Sequence, residues 1–173
     1  MARCVNALKA WTGKTRATVI YDSTVDEFTD ECLFQIVKGK KNIALVGFTT
    51  DGDVFGGFYS VGVTEQDEYF YDRSIFLFSF KSHGRSMTPQ RFVVKNGLME
   101  KHGGPRVRFF KDDSFRWFLV FWSDPGFLYL GNEKSRTWCD HLSGGFEGIE
   151  DTTLTGKNWG RFICSRLVAI QLE

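Results

Sequence analysis

The chain has 173 residues, 42% hydrophobic and 16% aromatic with 18 phenylalanines, so it carries too much apolar surface to stay in water, and its length suits one domain over 1–173. Charges nearly cancel, to a net +1, which excludes a long-range field drawing the whole molecule to nucleic acid or an anionic membrane. No apolar leader follows the start and no run approaches the ~18 apolar residues of a membrane span, so the expected compartment is cytoplasmic or nuclear, with no membrane insertion.

The spacing of Val5, Leu8 and Trp11 predicts a helix over 2–12, ended by Gly13. A β-branched and aromatic strand follows over 17–21. Ser23 is the expected N-cap of a second helix, with Asp26 and Glu27 at its positive end, a stripe of Val25, Phe28, Cys32 and Ile36, and Gly39 as its stop. From there the pattern alternates or is continuously apolar between Gly, Asp, Asn and Pro. It predicts strands over 43–48, 54–61, 75–80, 91–95, 106–111, 115–122, 127–130 and 162–172. Two of them, over 75–80 and 117–122, are apolar on both faces, as strands covered on two sides should be. The expected fold is mainly β with flanking helices, a two-sheet antiparallel β-sandwich.

Motifs for chemistry fail on their spacing. Gly13-Lys14-Thr15 lacks the glycine five residues earlier that a phosphate-binding loop needs, because Leu8 stands there. Asp51-Gly52-Asp53 continues with Phe55, which does not suit a calcium loop, and Asp51-Gly52 instead predicts a two-residue type I′ hairpin turn. The histidines His83, His102 and His141 occur singly, and Cys4, Cys32, Cys139 and Cys164 form no Cys-x-x-Cys pair, so no metal and no cofactor is expected. In a reducing compartment the cysteines read as free thiols. Cys139 and Cys164 are the candidate redox-sensitive pair, because Arg136 and Arg166 nearby in sequence favour their thiolates. Cys139, Asp140 and His141 do not form a thiol catalyst, since adjacent strand residues point to opposite faces.

Three segments in order resemble the TLDc domain of the oxidation-resistance proteins. The first, over 20–29, carries Tyr21, Ser23, Asp26 and Phe28, with Glu27 where the family has glycine. The second, over 49–58, carries the Asp51-Gly52 turn and Phe55-Gly56-Gly57; the third contains Phe76-Leu77-Phe78-Ser79-Phe80. Val168-Ala169-Ile170 stands where the family closes on Glu-Val-Trp. The resemblance implies a β-sandwich flanked by helices, a role in oxidative-stress resistance, a protein partner that in several members is the vacuolar proton ATPase, and no catalytic constellation. Its motif positions read as mainly structural: Phe55 fills the core while the glycines let a neighbour lie against the backbone.

The expected function is therefore a non-enzymatic binding and regulatory module. The alternative is nucleic-acid binding by the basic segment 81–116, which nets +6 and offers Lys81, Arg85, Arg91, Lys95, Arg106, Arg108, Lys111 and Arg116 with Phe92, Phe109, Phe110 and Phe115 interleaved for stacking on bases. The acidic segment 51–72 would neutralise it if the two packed together.

Overall fold

Leu8 and Trp11 share one face of helix α1 (Ala2–Thr12), and Gly13 ends the helix at φ +68°. The structure, a computed structural model, describes residues 2–82, 86–100, 103–111, 117–135, 137–157 and 160–173. The helix packs on the outer face of a six-stranded sheet ordered β1 (Ala17–Asp22), β12 (Cys164–Leu172), β2 (Ile43–Thr49), β3 (Val54–Tyr59), β5 (Phe76–Lys81) and β6 (Gln90–Val93). A second sheet is ordered β11 (Gly160–Arg161), β10 (Trp138–Asp140), β9 (Gly126–Leu130), β8 (Leu119–Ser123), β7 (Arg106–Phe109) and β4 (Phe70–Tyr71). Every pairing is antiparallel, so the mainly β two-sheet sandwich expected from the sequence is the observed fold.

Strand alternation divides the apolar residues into layers. Phe55 and Tyr59 from β3, Leu77 from β5, Phe121 from β8 and Leu128 from β9 point between the sheets and form the main core. Phe76, Phe78 and Phe80 point the other way from β5, under Trp11, with ring centroids 6.1, 6.3 and 6.1 Å from it. Both faces of β5 are thus covered.

β8 has the same apolar pattern for a different reason. Leu119 and Phe121 enter the core, but no helix contributes to the cluster containing Val120 and Trp122 on its outer face among the described residues. Those side chains are covered by neighbouring rings and guanidinium groups, which corrects the expectation of two covering layers. The start of this strand was expected at residues 115 and 116, which lie outside the described residues.

The second helix begins later than expected. Helix α2 is Asp30–Val37, capped by Thr29, whose Oγ1 accepts from the Cys32 N–H. Ser23 does not cap it, because the Ser23 Oγ accepts from the Leu167 N–H on β12 (3.0 Å). The Asp26 carboxylate closes a local turn by accepting from the Asp22 N–H (2.9 Å), and Val25 is 85% exposed rather than in the apolar stripe. Phe28, Cys32 and Ile36 do pack on the core, and Gly39 follows the helix at φ +70°.

The hairpin between β2 and β3 is also corrected in detail. The Thr49 N–H donates to the Asp53 carbonyl and the Gly52 N–H to the Thr49 carbonyl, both at 3.0 Å, so three residues form the loop. Gly52 adopts φ +88°, but Asp51 does not have the positive φ that a type I′ turn requires at both central positions.

Candidate functional site

Cross-strand register places two rows of residues on the outer face of the second sheet. Arg106 pairs with Trp122 and Trp122 with Phe127, while Arg108 pairs with Val120, Val120 with Tyr129, Tyr129 with Trp138 and Trp138 with Arg161. Residues directly opposite on antiparallel strands share a face, so seven ring and guanidinium groups gather on one surface. The Arg106 guanidinium lies 4.9 Å from the Tyr69 ring centre and 5.2 Å from that of Trp122. Arg108 lies 5.1 Å from Tyr69 and 4.8 Å from Phe110, with Asp67 at 3.5 Å. Behind them, Phe127 meets Trp138 and Tyr129 at 5.2 Å each, and Trp117 meets Tyr129 at 4.2 Å.

Trp117, Trp122, Phe127 and Trp138 are half-buried, and Tyr69 is 43% exposed. The buried indole N–H groups of Trp122 and Trp138 find no acceptor among the described residues. Burial, the largest influence, pushes the Tyr129 hydroxyl up to about 12, so it stays a neutral donor at physiological pH. Aromatic rings and arginines with no helix over them among the described residues have the composition of binding hot spots. Sequence reasoning missed this face because it is dispersed over 69–138, although its tryptophans and arginines fall at alternate strand positions.

The basic segment is divided by the sandwich. Lys81 ends β5 and Arg91 lies on β6, where it donates to the Trp11 carbonyl (2.9 Å) on the helix-covered side of the first sheet. Lys95 follows β6. Arg106 and Arg108 project from the opposite side of the molecule, and Lys111 follows β7 with its N–H on Asp67 (3.1 Å). Arg85 and Arg116 lie outside the described residues. One continuous basic surface over 81–116 is therefore corrected: a linear charge count does not register which sheet each residue joins. Phe92, Phe109 and Phe110 are buried, which removes them as base-stacking platforms; Phe115 lies outside the described residues. The acidic segment does reach the basic one through the Asp67 pair with Arg108.

The thiols are placed differently from their charge-based expectation. Cys139 and Cys164 are fully buried, and burial pushes both thiols up, Cys164 to about 12. Arg166 does not favour a thiolate at Cys164, because its guanidinium makes two bonds to Asp22, Nε to Oδ1 at 2.9 Å and Nη2 to Oδ2 at 2.5 Å. Arg136 lies outside the described residues. Cys139 points into the core toward the Gly160 carbonyl (3.7 Å), away from the exposed His141 beside Asp140, so these three residues do not converge. Among the described residues no three of His, Cys, Asp and Glu gather in a metal-binding group.

The Asp22–Arg166 pair ties β1 to β12 and holds the Asp22 carboxyl well below the usual carboxylate range, mainly through its hydrogen bond to Arg166. A carboxyl depressed in the folded state stabilises above its unfolded value of about 3.9 and loses that contribution as pH falls through the folded value. Asp22→Asn is expected to cost about 1.5 to 3 kcal/mol at pH 7, the range of hydrogen bonds to charged groups. Urea melts of the two proteins should converge as pH is lowered below about 4; a constant difference would show that the charge does not carry the effect.

The sequence profile of the TLDc domain matches residues 2–141. The chain belongs to the TLDc domain family. No curated protein matches it. Within this TLDc domain the motif residues are spread over the fold rather than gathered on one surface. Tyr21 is buried and donates to the Glu27 carbonyl (3.0 Å), while Phe28 stands edge-on to Phe118 at 5.7 Å. Asp51 is exposed and pairs with Lys157 (2.7 Å). Phe55 packs edge-on to Phe162 at 4.9 Å inside the sandwich. Gly57 faces the Phe121 ring and Gly56 the Leu45 carbonyl, and Phe76 and Phe78 carry α1. The TLDc match ends before α3 (Leu142–Gly145), so β12, flanked by β1 and β2 in the first sheet, lies beyond it.

Proposed function

We propose that this TLDc domain is a non-enzymatic protein-binding module acting in oxidative-stress resistance, in the cytoplasm or nucleus, and that the outer face of the second sheet receives its partner. One observation carries the reading: Tyr69, Trp122, Phe127 and Trp138 lie with Arg106 and Arg108 on a sheet face over which no helix lies among the described residues. Its composition suits a desolvated protein contact, and the partner we propose for it is the vacuolar proton ATPase, which the family resemblance gives as the partner of several members. No helix among the described residues is long and apolar enough to cross a membrane.

Binding to purified vacuolar proton ATPase, read by interferometry, tests both parts. Trp122→Ala and Trp138→Ala are expected to weaken binding at least about tenfold each, the loss of a hot-spot side chain. Equal binding by wild type and variants would move the interface elsewhere, and no binding by folded wild type would reject this partner. Nucleic acid has less support, because the described basic residues are divided between the two sheets and Phe92, Phe109 and Phe110 are buried. Tight, steeply salt-dependent binding of labelled single strands would reverse that preference.

A further inference from the structure

The other side of the sandwich carries a groove that the proposed partner face does not involve. Helix α1 presses Leu8 and Trp11 onto the phenylalanines of β5, but its first turns, with Cys4 and Val5, leave a volume of about 370 Å³ above the first sheet. The floor is apolar, made by Val46, Phe48, Val54, Phe80, Val168 and Ile170. These come from four adjoining strands, and alternation requires that they point outward together. Met87, 64% exposed, stands at the groove with a flexible thioether able to follow an occupant's shape.

Among the described residues, the charged side chains that line this groove, Arg3 and Lys81, are both positive. Register sets Arg166, Phe48, Val54 and Lys81 in a single cross-strand row, with a cation at each end and apolar side chains between. Arg166 lies 5.1 Å from the Phe48 ring centre and is answered by Asp22. Lys81 lines the groove from one side and Arg3 from the helix, and neither forms an ion pair among the described residues. Among the described residues no acidic side chain lines it. An apolar trough whose positive charges are unanswered among the described residues is complementary to a molecule that is apolar along its length and negative at one end. Its volume falls in the small-ligand range of about 300 to 1,000 Å³ and is modest for a partner's helix.

We propose that the groove between the first turns of α1 and the outer face of the first sheet binds an amphiphilic anion, an aliphatic chain ending in a carboxylate. The chain lies over Val54 and Val168, and the carboxylate meets Lys81 and Arg3.

Cys4 makes the occupant visible without a label. It is a half-buried thiol in the groove wall, while Cys32, also half-buried, sits on α2 and packs on the core between the sheets. Full-length protein is treated with a maleimide, with dodecanoate as the probe, and modification is followed at each cysteine by mass spectrometry. Saturating dodecanoate is expected to slow modification of Cys4 about tenfold and leave Cys32 unchanged, whereas dodecyltrimethylammonium, with the same chain and a cationic head, protects neither. Lys81→Glu should weaken protection by dodecanoate about tenfold, equivalent to about 1.4 kcal/mol, while the melt stays near that of wild type. Val54→Trp, which fills the trough, should abolish it. Equal protection by both amphiphiles, slowing of both cysteines together, or unchanged dodecanoate binding in a folded Lys81→Glu protein would each overturn the proposal.

Discussion

Phe78→Ala is expected to lower stability in urea melts by about 3 to 5 kcal/mol, combining lost transfer energy with the cavity left behind. Phe78 is fully buried between β5 and α1, stacked on Phe80 at 4.7 Å and within 6.3 Å of both Trp11 and Phe76. It is attached to a paired strand, with β3 on one side and β6 on the other, so the backbone cannot collapse into the gap. Phe76→Ala should cost less than Phe78→Ala. Phe76 borders an open cleft of about 340 Å³, so its removal enlarges a space that water reaches rather than sealing a void. A loss below about 1 kcal/mol at Phe78 would mean that α1 is not held by this ring. The reverse order, Phe76 above Phe78, would locate the helix's main anchor at the cleft.

How far the sequence discloses this architecture depends on whether its signal is local. The β5 segment is legible because six apolar or small residues in succession, over 75–80, need cover on both sides, and α1 supplies the second cover. The same signal in β8 misleads, since apolar side chains on its outer face shield one another across the strands, a neighbourhood that no window along the chain contains. Ser23 and Asp26 resemble a helix start because Ser and Asp cap helices and turns alike. The choice between the two is made by the Leu167 N–H, 144 positions away. Strands β4 and β11 have two residues each and β10 three, too short to display a period, and they exist because longer neighbours present free edges. The charge of the basic segment is legible, but its distribution over two opposite faces is decided by sheet order. The aromatic and arginine face has the same limitation, being made from β7, β8, β9 and β10, with Tyr69 just before β4. Family motifs read well because they lie where local backbone geometry is demanding, at the hairpin and at Phe55-Gly56-Gly57.

That last motif gives the second large effect. A methyl group at Gly57 would lie 2.6 Å from two ring carbons of Phe121, closer than real side-chain contacts permit. Gly57 sits on β3, paired with Leu45 on one side and Leu77 on the other, and Phe121 is fully buried on β8 of the facing sheet, so neither side of the contact is free to retreat. Gly57→Ala is therefore expected to cost about 3 kcal/mol, the upper part of the range for overpacking a dense core. The contact also predicts a rescue. Phe121→Leu alone is destabilising because it leaves space where the ring lay on the glycine, and the alanine methyl occupies part of that space. The double variant should therefore be more stable than the sum of the two losses predicts, by about 0.5 to 3 kcal/mol of coupling. Gly56→Ala provides the contrast, because its methyl is directed at the Leu45 backbone carbonyl, which no side-chain substitution removes. Phe121→Leu should give it no relief. Additive losses for Gly57→Ala and Phe121→Leu would mean that the sheets can part at this point, and the glycine would then be required by its own strand rather than by the ring across from it.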